Sequence, residues 1–189
     1  MKRGGSVTVN FVTCTDPEAG DQPVTQISFI EGRNLGFYYH HPAGSNDGRT
    51  LVFSNIQGAD PATLTYLAVD LDTRRMTKLT PTGKCNSGMV VNDLLYVACG
   101  PDPATGTYAR VRRFPLDGGE PEDVHAGAIL ELQAVSHGEE AIITTERGAV
   151  PAPDSQTFYV PLSGAPPILL GTTTQSISGD EQAIGIFAW

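Results

Sequence analysis

Short runs of alternating hydrophobic and polar positions, cut by turn residues at regular intervals, fill this chain, and residues 37–80 show the pattern most fully. Residues 37–41 are an apolar-aromatic run, Asn46-Asp47-Gly48 is a turn, and residues 51–54 are a β-rich run that ends near Gln57-Gly58. From residue 66 to 71, Tyr66, Ala68 and Asp70 alternate with Leu67, Val69 and Leu71; Asp72-Thr73 then turns the chain, and residues 76–80 close the unit. Period-two alternation bounded by such turns predicts four antiparallel strands, the content of one propeller blade.

The unit repeats. Its second strand starts at Leu51, Leu94, Ala141 and Ala183, spacings of about 43, 47 and 42 residues, close to the period of roughly 40–50 for a four-stranded blade. Its third strand ends at Leu71, Leu116 and Leu162, in VDLDTRR, FPLDGGE and VPLSGAP, and each second strand follows a polar turn: Asp47-Gly48, Asn92-Asp93, His137-Gly138 and Ser178-Gly179-Asp180. No window carries a sustained helical period, and Gly or Pro interrupts nearly every long segment. The fold class expected is all-β, a β-propeller of four-stranded antiparallel blades in a single domain or segment spanning residues 1–189. Blades are expected at 37–80, 81–126 and 127–171, the outer strand of a preceding blade at 6–13, a connector at 15–36, and part of a further blade at 172–189. Two architectures accommodate this: a small four-bladed ring, or the N-terminal part of a larger propeller. The apolar run AIGIFAW at 183–189, a strand edge that soluble proteins normally cover, favours the second.

Composition narrows the function classes. With 189 residues and a formal net charge of −9, nucleic acid and anionic membrane surfaces are disfavoured as partners. No run approaches the roughly 18 apolar residues of a membrane helix, and Lys2-Arg3 is followed by Gly4-Gly5-Ser6 rather than by an apolar signal core. Cys14, Cys85 and Cys99 are odd in number and lack metal-ligand spacing, so reduced core thiols in a reducing compartment are expected.

FVTCTDP leading into NLGFYYHHPAGSNDGRTLVFSN, then LAVDLDTRRMTKLT, resembles the opening blades of oligogalacturonate lyases, and more loosely the repeats of TolB-like proteins; LLYVACG and RVRRFPLDGGEPEDVHAG continue the resemblance. It implies a seven-bladed propeller and a cytoplasmic polysaccharide lyase of pectin degradation that carries out β-elimination on oligogalacturonides with a divalent metal, manganese. In that family the catalytic histidine, its arginine partner and the metal site lie in later blades, so no catalytic or metal-ligating residue of this chain is implied. The alternative is a non-catalytic binding or scaffold propeller, TolB-like, for a protein or glycan partner. A homodimer through open propeller ends is the further partner expected.

The candidate substrate-binding residues are Tyr39, His40, His41 and Arg49. Adjacent strand residues face opposite ways, so at most one of His40 and His41 faces a central channel. Tyr38 and Tyr39 share that constraint: one packs between blades, the other is free to stack on a sugar ring. Arg110 and Arg112 share one face of a third strand, where a uronate could be met bidentately, although a solvated outer face is the simpler reading. His125 and His137 are expected to make polar contacts between blades.

Overall fold

A computed structural model describes residues 3–9, 11–16, 22–26, 31–37, 43–57, 63–148 and 155–173. Among them the chain is all-β, without α-helix, and no helix is long and apolar enough to cross a membrane. The strands in chain order are β1 (Ser6–Thr8), β2 (Val12–Asp16), β3 (Gln22–Gln26), β4 (Arg33–Leu35), β5 (Thr50–Ile56), β6 (Thr65–Asp70) and β7 (Arg75–Lys78). They continue with β8 (Cys85–Val91), β9 (Leu94–Asp102), β10 (Thr107–Pro115), β11 (Glu122–Val135), β12 (Ala141–Arg147), β13 (Ser155–Pro161) and β14 (Ile168–Thr173). They form antiparallel sheets of order β1-β7-β6-β5-β4, β14-β13-β12-β11-β10-β9-β8 and β2-β3.

The repeat counted in the sequence sets strand starts: β5, β9 and β12 begin at Thr50, Leu94 and Ala141. Turn chemistry places them. Gly48 has φ +71°, Asn92 and Asp93 have φ +47° and +64°, and Glu139 has φ +53°; Asn and Asp tolerate the left-handed region, and two such residues in succession make the tight hairpin turn that suits the strand twist.

Packing explains why several strands read as continuous apolar runs. In β6, Tyr66 and Ala68 face the seven-stranded sheet, where they meet Val90, Leu95, Val97 and Phe114, while Leu67 and Val69 face away with Phe53 and Met76. In β9, Leu95 and Val97 face β6, whereas Tyr96 and Ala98 face Ile129, Leu132, Ile142 and Val160. The β8–β10 layer is thus covered on both faces, which stacks the sheets in the manner of successive blades and removes the polar alternation of a half-exposed strand.

Four expectations are corrected. Residues 6–13 do not form one outer strand of a preceding blade: β1 adds to the edge of the first unit, Ser6 opposite Thr77 and Thr8 opposite Arg75, and Val12 already belongs to the β2-β3 hairpin. The segment 15–36 is not a plain connector, because it carries the end of β2, all of β3 and β4, the latter pairing with β5 through Leu35 and Ser54. The boundary at 126/127 falls inside one strand: β11 pairs with β10 through Tyr108 and Ile129 to Arg113 and Glu122, then with β12 through Ile129 and Glu146 to Val135 and Ile142. Register shifts on both sides of β11 bend the sheet where it changes partner. Finally, Cys85 and Cys99 are not reduced thiols; they are joined in a disulfide. The partial blade expected at 172–189 lies, beyond Thr173, outside the described residues.

Candidate functional site

At one end of the strands, the turns of the three units are laced together. The Asn46 amide N–H donates to Asp93 Oδ1 at 2.8 Å, Asn46 Nδ2 to Asn92 Oδ1 at 3.3 Å, and Asn92 Nδ2 to the His137 carbonyl at 2.9 Å. Each link spans one repeat, so the turns that start the second strands form a continuous rim. The first turn is stiffened locally: Ser45 Oγ donates to Asp47 Oδ1 at 2.6 Å, and the Arg49 N–H donates to the same oxygen at 3.0 Å. The Ser45 hydroxyl, then the Arg49 amide, hold the Asp47 carboxyl below its ordinary range.

Arg49 stands on this rim, exposed, with Nε 3.5 Å from Asp72 Oδ2 and 3.8 Å from Asp47 Oδ2. Tyr39, His40 and His41, like Tyr38, lie outside the described residues. The described residues on either side of that stretch are anchored: Leu35 pairs with Ser54, and Gly44 pairs with Leu51. Phe37 stacks on Tyr66 with centroids 5.8 Å apart and planes 12° apart.

A groove of about 400 Å3 opens between the first unit and the β10–β11 turn, lined among others by Ser6, Thr50, Asp70, Thr73, Thr77 and Asp117. Asp70 Oδ1 accepts from the Thr73 and Asp72 amides at 2.7 and 3.0 Å, and the Thr73 amide is the main reason that its carboxyl lies below the usual range. Hydroxyls and carboxylates line this groove, with Arg75 the cation beside them. Such walls suit hydroxyl groups and repel a carboxylate.

Arg110, Arg112 and Arg113 are paired with carboxylates. Arg110 and Arg112 do share a side, where both meet Asp123, at 2.7 and 2.6 Å. Burial pushes the Asp123 carboxyl up, and the two guanidinium groups more than reverse this, leaving it below its ordinary range. Arg113 holds Glu122 through two nitrogens, at 2.9 and 2.7 Å, and approaches Glu139 at 3.4 Å, where Tyr96 Oη also donates at 2.6 Å.

His125 Nε2 lies 2.7 Å from Glu146 Oε1, which also accepts from Thr144 Oγ1 at 3.0 Å, a contact between the neighbouring strands β11 and β12 of one sheet. Sequence reasoning did not see Glu146 as its partner. The available signal was Gly127, whose missing Cβ leaves room for the Glu146 carboxylate; a Cβ there would run into Oε2. Among the described residues no three His, Cys, Asp or Glu side chains converge as metal ligands. The described residues therefore do not fit a manganese site.

No family model and no curated protein matches this chain. Solved structures do. An oligogalacturonate lyase from Vibrio parahaemolyticus superposes with a TM-score of 0.70 at 13% identity, over 92% of this chain and 49% of that one. An oligogalacturonate lyase in complex with manganese gives a TM-score of 0.70 at 19% identity, over 93% of this chain and 50% of that one. TolB from Acinetobacter baumannii gives 0.57 at 13% identity, over 82% of this chain and 36% of that one. At these identities the likeness is one of fold, and this chain spans about half the length of the lyases it matches. The chain thus shares the propeller fold of oligogalacturonate lyases and TolB.

Proposed function

We propose that this chain is a substrate-binding part of an oligogalacturonate lyase-type propeller, with Arg49 and the Tyr39, His40 and His41 stretch meeting the uronate. The observation that carries this reading is the fold match to two lyases over more than nine-tenths of the chain. β-Elimination from a uronide takes the proton α to the carboxylate, so a site needs a base at that proton and positive charge at the carboxylate. Arg49 has the required charge. Its two carboxylate contacts are exposed, and pairs of that kind contribute about 0–1 kcal/mol. A uronate bound through charge-assisted hydrogen bonds gains about 1.5–3 kcal/mol and can draw the guanidinium away from them.

The test is calorimetric titration of the full chain with trigalacturonate at low ionic strength. Saturable binding that Arg49→Ala weakens by about tenfold, in line with one charged hydrogen bond, supports the reading. Absence of saturable binding overturns it. The second reading, a non-catalytic TolB-like binding propeller in which a protein or glycan partner occupies the loops, draws on the hydroxyl and carboxylate walls of the groove at Asp70 and Asp117. A chain that ignores trigalacturonate but takes up neutral sugar oligomers fits that reading instead.

A further inference from the structure

We infer that the Cys85–Cys99 disulfide and the bulge beside it form one redox-sensitive staple that fixes the edge of β8 against the neighbouring sheet. The register shows why they act together. From the Asn92-Asp93 turn outward, Val91 pairs with Leu94, Val90 with Leu95 and Met89 with Tyr96. Continued unchanged, that register would set Cys85 opposite Gly100 and Cys99 opposite Asn86, with the two thiols on opposite faces. Instead the register shifts between Asn86 and Met89, so that Asn86 meets Ala98 and Cys85 meets Cys99. The bulge is built from Ser87, whose φ is +52°, and Gly88.

Tyr66 of the other sheet holds the bulge from outside. Its Oη accepts the Gly88 N–H at 2.8 Å, and a Cβ on Gly88 would lie 2.6 Å from its ring. Past the bulge, β8 has a short paired end, Asn86 and Cys85, with the Lys84 carbonyl accepting the Gly100 N–H at 2.9 Å, and among the described residues β8 neighbours β9 alone in its sheet. Both cysteines are 5% exposed and belong to the core cluster shared by the two sheets. A strand end this short opens locally, which gives a small thiol access to the sulfurs that the closed structure buries. The disulfide suppresses that opening.

The chemistry balances by thiol–disulfide exchange. One cysteine thiolate attacks a small-molecule disulfide, releasing one thiol and forming a mixed disulfide; the second cysteine displaces the other thiol, so two protein thiols and one small disulfide become one protein disulfide and two small thiols. The reverse consumes two small thiols, or one dithiol or phosphine, and returns the two protein thiols. Because such a bond persists where thiols are oxidised, the stapled form belongs to an oxidising compartment and the open form to a reducing one. This differs from the cytoplasmic placement that the sequence resemblance implies.

The experiment uses the full chain carrying Cys14→Ser, so that only this pair is counted. After exposure to oxidised glutathione, thiol titration in denaturant should find no free thiols, and two after phosphine treatment. Hydrogen exchange at the Asn86 to Gly88 amides should then accelerate by about tenfold or more, as the short strand end is freed to open while the hairpin beyond the bulge stays paired. Exchange at Ile142, in β12, should stay unchanged. Two free thiols in the oxidised sample refute the staple. Unchanged exchange at Gly88, or equal acceleration at Ile142, refutes a local switch.

Discussion

Gly88→Ala is the most informative single change in this fold, because it tests the contact through which the two large sheets meet at the bulge. The added Cβ would stand 2.6, 2.7 and 2.9 Å from Cε1, Cζ and Oη of Tyr66, well inside contact distance. Tyr66 has little freedom to retreat: it is 4% exposed and stacked on Phe37. Forcing one methyl group into packed surroundings costs about 1–3 kcal/mol. Displacing the ring also breaks the bond from the Gly88 N–H, and a buried donor left without a partner costs a further 1–3 kcal/mol or so. The expected loss is therefore about 2–6 kcal/mol, a large part of the total stability of a single domain.

Urea unfolding followed by circular dichroism reads this as a lower midpoint at unchanged slope. A double-mutant cycle separates the two parts. Tyr66→Phe keeps the ring atoms that clash but removes the acceptor, so it should cost about 1–3 kcal/mol alone and should not rescue Gly88→Ala. Tyr66→Leu makes room, so in that background the cost of Gly88→Ala should shrink by at least about 1 kcal/mol. A Gly88→Ala chain within about 0.5 kcal/mol of the parent, or a cycle with no coupling, would falsify the account of the sheet interface.

Other consequences follow from the same contacts. Burial pushes the Tyr66 and Tyr96 hydroxyls up to about 12, with the Glu139 carboxylate adding to the effect at Tyr96. Below pH 10 this preference for the protonated form stabilises the fold in full; between pH 10 and about 12 the unfolded chain releases protons that the folded chain keeps, so stability falls across that window. Unfolding midpoints measured across it should fall less steeply for Tyr66→Phe than for the parent. Glu146→Ala strands His125 and the Thr144 hydroxyl, and should lower stability by about 1–3 kcal/mol in denaturant titration. Glu146→Gln, which keeps an acceptor at Oε1, should cost clearly less. Asp70→Ala leaves the Thr73 and Asp72 amides without their cap and should cost about 0.5–2 kcal/mol, by analogy with helix caps.

The strand starts at Leu51, Leu94 and Ala141 could be read from the sequence because turns are local: Gly48, Asn92 and Asp93 are residue types that announce a positive φ, and before Ala141 the polar His137-Gly138 marks the turn although its positive φ falls at Glu139. The sheet edges could not be read in this way. Ser6–Thr8 is a short polar strand that would suit any open edge, and its place on β7 depends on where that edge lies in space. The join at residues 126 and 127 was hidden for a related reason. EDVHAGAILELQAV contains no turn, and a strand that changes partner along its length leaves the same hydrophobic pattern as one that does not.

The functional residues divide along the same line. Arg49 could be placed because it sits one residue from a turn and at the start of β5; its two carboxylate neighbours were harder to see, since Asp72 reaches it only through the pairing of Thr50 with Asp70. The cysteine pair shows the limit most sharply. Counted outward from the Asn92-Asp93 hairpin, Cys85 and Cys99 fall on opposite faces, and only the extra residue at Ser87-Gly88 brings them together. Nothing in the local sequence demands that bulge, since Ser-Gly also reads as ordinary turn chemistry. What demands it is Tyr66, 22 residues away, whose hydroxyl takes up the Gly88 N–H at 2.8 Å. A disulfide whose register is set by a side chain from another sheet can form only after the two sheets have docked, so oxidation should follow tertiary packing. A chain in which Tyr66→Leu weakens docking should therefore form the bond more slowly from the reduced state, with the rate of thiol loss as the readout.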